Sequence, residues 1–113
     1  MKIFIICSVR QATAEYLKKL YSYVHKLEQA GHQVHLPPRD TDQHASGINI
    51  CRQNRQGIKE ADEVHVFYSS QSQGTHFDLG MAFELEKRIK ILQNETYNTG
   101  KSFSRMLVEW EGK

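Results

Sequence analysis

The residue types best suited to chemistry gather in one stretch, Ser72-Gln73-Gly74-Thr75-His76-Phe77-Asp78-Leu79-Gly80. It follows an apolar run, opens a helical pattern and sets a carboxylate near the helix start. Thr75 reads as the N-cap, which makes His76, Phe77 and Asp78 the first three helical residues. Backbone N–H groups around Gly74 and Thr75 are then open to an anion such as a phosphate. In that arrangement Asp78 can act on a sugar held by its phosphate. The same Thr-x-x-Asp spacing also makes a capping box, in which Asp78 only returns a hydrogen bond to the cap. Spacing alone leaves both readings open.

Other candidates complete a crevice. After the first apolar run, Ser8-Val9-Arg10 offers a hydroxyl and a guanidinium fork able to bind phosphate. An exposed arginine and a capping serine are the alternative. The polar run Ser69 to Gln73 supplies a second wall, with Ser72 at its end. Asn54 stands four residues after Ile50 and four before Ile58, on the stripe expected to face the sheet, whereas Arg52, Arg55 and Lys59 fall toward solvent. A buried amide needs partners, so Asn54 either bonds backbone in the core or reaches into the crevice.

The six histidines never pair at His-x-x-x-His spacing or stand beside carboxylates in a metal motif, so no metal is expected. His76 contacts a ligand or sits at the surface. Tyr16, Tyr21 and Tyr23 belong to a core edge or a subunit interface. No cofactor is expected. The segment after the first strand lacks the phosphate cradle of a flavin protein, and Cys7 has no resolving partner at Cys-x-x-Cys spacing.

These residues must be held by alternating strands and helices. Lys2 to Cys7 reads as a strand covered on both faces. A helix follows from about Thr13 to Ala30, with Leu17, Leu20, Val24 and Leu27 on one stripe and Gly31 at its stop. Val34 to Leu36 is a second strand, ended by Pro37-Pro38, and a polar loop leads to a helix from about Ile48 to Ala61. Val64 to Tyr68, Thr75 to Lys87 and Ile89 to Leu92 read as strand, helix and strand. A polar turn over Asn94 to Gly100 precedes a helix from Ser102 to Trp110. The expected fold is α/β: a flavodoxin-like, Rossmann-like three-layer sandwich with a central parallel sheet of four to five strands in the order 2-1-3-4. In such a sheet the ligand lies beyond the carboxyl ends of strands 1 and 3, where the order reverses.

At 113 residues the chain, 1–113, reads as one domain, and its size favours an oligomer. A net charge of +2, with both signs interspersed, excludes a general nucleic-acid binder. The apolar start is too short for a signal peptide, no run approaches a transmembrane span, and two cysteines give no disulfide framework. A cytoplasmic location is expected.

The strand ending Cys7-Ser8-Val9-Arg10, the Asn54 helix ending in Ala61-Asp62, and Ser72-x-Gly74-x-x-Phe77-Asp78-Leu79-Gly80-x-Ala82 together resemble the nucleoside 2-deoxyribosyltransferases, and especially the 2'-deoxynucleoside 5'-phosphate N-hydrolases, over about residues 2 to 92. The resemblance implies a nucleophilic carboxylate at Asp78, which attacks the anomeric carbon and forms a glycosyl-enzyme later resolved by water or another base. It implies 5'-phosphate contacts from Ser8, Arg10 and Ser72, to which the pattern at the helix start adds Gly74, Thr75 and His76 as ligand contacts. It also implies a nucleoside or nucleotide as partner and a homodimer or larger homo-oligomer. Three positions depart from the family. Asp78 replaces a glutamate, Asn54 replaces a supporting aspartate, and Cys7 stands where the hydrolases have glycine. A displacement of about 1 Å at a reacting atom can cost on the order of 100-fold in rate, and an amide carries no proton in acid–base work. The rival expectation is a nucleotide- or sugar-phosphate-binding module that kept the crevice and lost the chemistry.

Overall fold

The apolar run after Met1 becomes the centre of a parallel sheet because both of its faces are covered. In the computed structural model, which describes residues 1–10, 12–96 and 101–113, this run is β1 (Lys2–Ile6). Phe4 and Ile6 point into one apolar cluster, and Ile3 and Ile5 point into the other. Alternation along a strand thus feeds two cores at once.

Three further strands, β2 (Gln33–His35), β3 (Glu63–Phe67) and β4 (Ile89–Gln93), complete the sheet in the order β2-β1-β3-β4, and every pairing is parallel. This is the expected flavodoxin-like α/β architecture, with four strands among the described residues. Helix α1 (Ala14–Gln29) covers one face, burying Leu20 and Val24 against Ile3, Ile5 and Phe67. It ends as its sequence predicts. Gly31 takes φ +96°, and the N–H groups of Gly31 and His32 bond to the carbonyls of Glu28 and Leu27, a Schellman motif that only glycine enters without strain.

The opposite face carries α3 (Gly47–Glu60), α4 (Gln73–Glu84) and α5 (Phe103–Glu111), whose Ile58, Leu79, Ala82 and Leu107 join the cluster around Phe4 and Ile6. Gly57 of α3 lies so close to the sheet that a Cβ there would meet the Phe4 ring at 2.9 Å and His35 Nδ1 at 3.1 Å. This near approach seats α3 on β1 and β2.

Three boundaries correct the sequence reading. Pro37-Pro38 does not lead straight into a loop. It opens a one-turn helix, α2 (Pro37–Asp40), with proline at the first helical positions, where no N–H is needed. Helix α4 starts at Ser72, not Thr75: the Ser72 hydroxyl accepts from the Thr75 N–H at 3.1 Å, and Gly74 is tolerated inside the first turn. The same helix stops before Lys87. Glu86 takes φ +55°, and the N–H groups of Glu86 and Lys87 bond to the carbonyls of Phe83 and Ala82, so the stop is made without glycine. The turn expected over Asn94 to Gly100 is described only as far as residue 96, and positions 97–100 lie outside the described residues. No helix among the described residues is long and apolar enough to cross a membrane.

Candidate active site

Strands β1 and β3 are neighbours in the sheet, with Ile6 beside Val66, so the segments that continue them, Cys7 to Arg10 and Tyr68 to Ser72, leave the same end of the sheet. Helices α3 and α4 pack together beneath that end. Residues 75, 78, 79 and 82 share the buried face of α4, which aims Asp78 inward. The cap at Ser72 puts Asp78 in the second turn, where it cannot serve as a capping box. The structural alternative left open by the spacing is thereby removed.

Asp78 and Asn54 are brought together. Both are buried, 6% and 7% exposed, and the Asn54 Nδ2 donates to Asp78 Oδ2 at 3.4 Å. Asn54 therefore spends its amide on the carboxylate and not on core backbone. Burial pushes the Asp78 carboxyl from the ordinary 3.8 up to about 7, against the opposing pull of the Asn54 hydrogen bond. Near neutral pH both protonation states are then populated. Cys7, just past β1, is buried on the α1 side of the sheet, in the cluster of Ile3 and Ile5. Burial, with the Asp78 charge adding to it, pushes its thiol up to about 12, so it stays protonated and inert.

The outer residues are arranged less tightly. Ser8 is half-buried, and its backbone N–H donates to the Tyr16 hydroxyl at 3.2 Å. Arg10 is exposed and makes no ion pair with any described residue. Ser72 is half-buried at the head of α4. Gly74 is exposed, with open space where a Cβ would stand.

Two expectations about Thr75 fail. It is not the cap, and its N–H is taken by Ser72, so it is not open to an anion. Its Oγ1 is buried and has no hydrogen-bond partner among the described residues. His76 uses both ring nitrogens inside the protein. Nδ1 donates to the Ser72 carbonyl at 2.8 Å, and Nε2 lies 2.9 Å from the Tyr68 hydroxyl. Its ring also meets the Phe103 ring edge-on, with centroids 4.9 Å apart. His76 thus ties α4, the segment that follows β3 and α5 together.

Sequence reasoning gave Thr41 and His35 no place at the site, and it set Tyr16 only at a core edge or interface. Thr41 donates to Asn54 Oδ1 at 2.7 Å, and His35 Nε2 lies 2.8 Å from Thr41 Oγ1. No local pattern announces them, because the contacts span different elements. Tyr16 alone had a signal: in the helix after β1, it stands one turn past the Thr13 cap, within reach of the Ser8 segment.

No protein-family model matches the chain, and no curated protein matches it. Solved structures do. A CMP N-glycosidase from Clostridium botulinum superposes with a TM-score of 0.73 at 22% identity, covering 97% of this chain and 82% of that one. A 2-deoxyribosyltransferase from Bacillus psychrosaccharolyticus gives 0.72 at 21% identity, with the same coverages of 97% and 82%. The chain has the fold of the nucleoside 2-deoxyribosyltransferases. A third such enzyme, from Leishmania mexicana, agrees with a TM-score of 0.63 at 19% identity over 91% of this chain and 79% of its own. The sheet order reverses between β1 and β3, and the Asp78–Asn54 pair lies on the α3–α4 side of that switch point.

Proposed function

We propose that this protein cleaves the N-glycosidic bond of a nucleoside 5'-monophosphate, and that it belongs to the nucleoside 2-deoxyribosyltransferase family whose fold it has. One observation carries the reading: a buried carboxylate, hydrogen-bonded by a buried amide, lies at the switch point of the parallel sheet. Asp78 attacks C1' of the sugar. The C1'–N bond breaks as the C1'–O bond to Asp78 forms, and the base leaves with the bonding pair and takes a proton from water. Water, or a second base, then attacks C1' and releases the carboxylate. Ser8, Arg10 and Ser72 hold the 5'-phosphate on this reading, and the exposed first turn at Gly74 lies beside it. Asn54 donates to the carboxylate and orients it, while carrying no proton of its own. The reading includes a homo-oligomer, on the ground that a short chain leaves Phe77, Phe83 and Phe103 of α4 and α5 more than half exposed.

The test is chromatographic detection of free base released from a panel of nucleosides and their 5'-monophosphates. Wild-type release that vanishes in Asp78→Ala supports the assignment, and an unchanged rate in that variant overturns it. Because only the ionised carboxylate attacks, the rate should rise with pH through about 7, the value to which burial pushes Asp78. A second reading, a binding module without turnover, is favoured by the amide at position 54. Saturable nucleotide binding with no base release, and activity appearing in Asp78→Glu, would decide for it.

A further inference from the structure

The hydrogen bonds that reach Asp78 do not end at Asn54. Asn54 Oδ1 accepts from Thr41 Oγ1 at 2.7 Å, and Thr41 Oγ1 lies 2.8 Å from His35 Nε2. Side chains from β2, the C-terminal cap of α2, α3 and α4 thus form one line that ends on the carboxylate. Counting protons gives the line a direction. Thr41 has one hydroxyl proton, and with that proton on Asn54, the proton between Thr41 and His35 comes from Nε2–H. Asn54 then turns its NH2 toward Asp78, the orientation that suits a carboxylate. In the reverse order Thr41 donates to His35, the amide NH2 faces Thr41, and the amide oxygen faces Asp78. That order suits only a protonated Asp78.

We propose that His35 and Thr41 are positioning residues that hold the Asn54 amide with its NH2 on Asp78, so favouring the carboxylate form. Both are fixed by the fold. Thr41 is 4% exposed at the end of α2, and the His35 ring stacks on Phe4 with centroids 5.0 Å apart and planes 27° from parallel. Gly57 leaves the ring its space. Burial is the largest influence on His35 and disfavours its charged form. Asp40 and Glu60 favour protonation, and Arg39 opposes it. Protonation keeps Nε2–H in place, so the line runs the same way with His35 charged as with its Nε2–H tautomer. The catalytic consequence rests on Asp78 being the nucleophile, whereas the amide orientation does not.

The experiment is a carbon-detected NMR titration of the Asp78 carboxyl in the full chain, assigned by the signal lost in Asp78→Asn. It reads the line without any substrate, and base release reads the function separately. Asn54→Ala sets the full effect of losing the amide. Thr41→Val keeps the shape and removes the hydroxyl, and His35→Phe keeps a stacked ring and removes the donor. Each should raise the Asp78 midpoint by about one pH unit. Thr41→Ser and His35→Gln, which retain the hydrogen-bonding groups, should hold it at the wild-type value. In the Asn54→Ala background neither disruptive change should add to the shift. A wild-type midpoint in folded Thr41→Val or His35→Phe overturns the proposal, and so does a full additional shift on top of Asn54→Ala. Two independent disruptive variants let one decide if the other fails to fold. Shifted midpoints without base release would remove the function and keep the line; the converse result would remove the line and keep the function.

Discussion

At the scale of single residues, Asp78 carries a conflict between stability and reactivity. Its folded value of about 7 stands above the ordinary 3.8 because burial disfavours the charge. The folded state therefore binds the proton more tightly than the unfolded chain does. The contribution is fully favourable below 3.8 and is lost as pH rises through about 7. Asp78→Asn keeps the size and removes the titration. Thermal unfolding should show the variant more stable than wild type at pH 8, by at most about 4 kcal/mol, with the gap closing near pH 3. A gap independent of pH would mean that the carboxylate is not buried as described. The sequence points to Asp78 and to Asn54 separately, but not to the bond between them. They lie 24 positions apart, and only the packing of α3 on α4 closes that distance. Thr75 shows the limit of a capping pattern. Ser72 and Thr75 are both good caps, and choosing between them required knowing which residue the core could accept.

At the scale of elements, two substitutions oppose what local propensity predicts. Gly57 lies inside α3, and alanine in an exposed helix interior would stabilise by about 1 kcal/mol. Here the added Cβ would meet the buried Phe4 ring at 2.9 Å, and overpacking of that kind costs about 1 to 3 kcal/mol. Gly57→Ala should therefore lower stability by about 1 kcal/mol in urea unfolding, and it should move the His35 ring signals in NMR. Glu86 is the reverse case. It holds φ +55° at the stop of α4, where a side chain is strained and glycine is not. Glu86→Gly should raise stability by about 0.5 to 1 kcal/mol, and a lower denaturation midpoint would refute this account. The missing glycine is also why periodicity carries the helix on to Lys87. Where glycine is present, at Gly31, the stop of α1 is legible directly.

At the scale of the whole molecule, the proposed assembly has its own test. Phe77, Phe83 and Phe103 are 56%, 63% and 58% exposed, which is unusual for side chains this large and apolar. Sedimentation at micromolar concentration should show a dimer or larger species, and Phe83→Asp should shift it toward monomer. A monomer in wild type would remove the oligomer from the proposal. Residue patterning alone dictates the alternation of strands and helices, the parallel sheet and its order, because continuous apolar strands and single-stripe helices bury their surface in few ways. It also brought Asp78, Asn54 and Ser8 to notice, since each interrupts an apolar pattern or follows a strand end. What these groups touch follows instead from how the helices pack on the sheet. The joining of Asp78 to Asn54, Thr41 and His35, and the strong upward push on the carboxyl, come from water excluded between α3, α4 and the sheet. Local sequence carries no record of that exclusion, because it arises from residues distant along the chain meeting in one dry place.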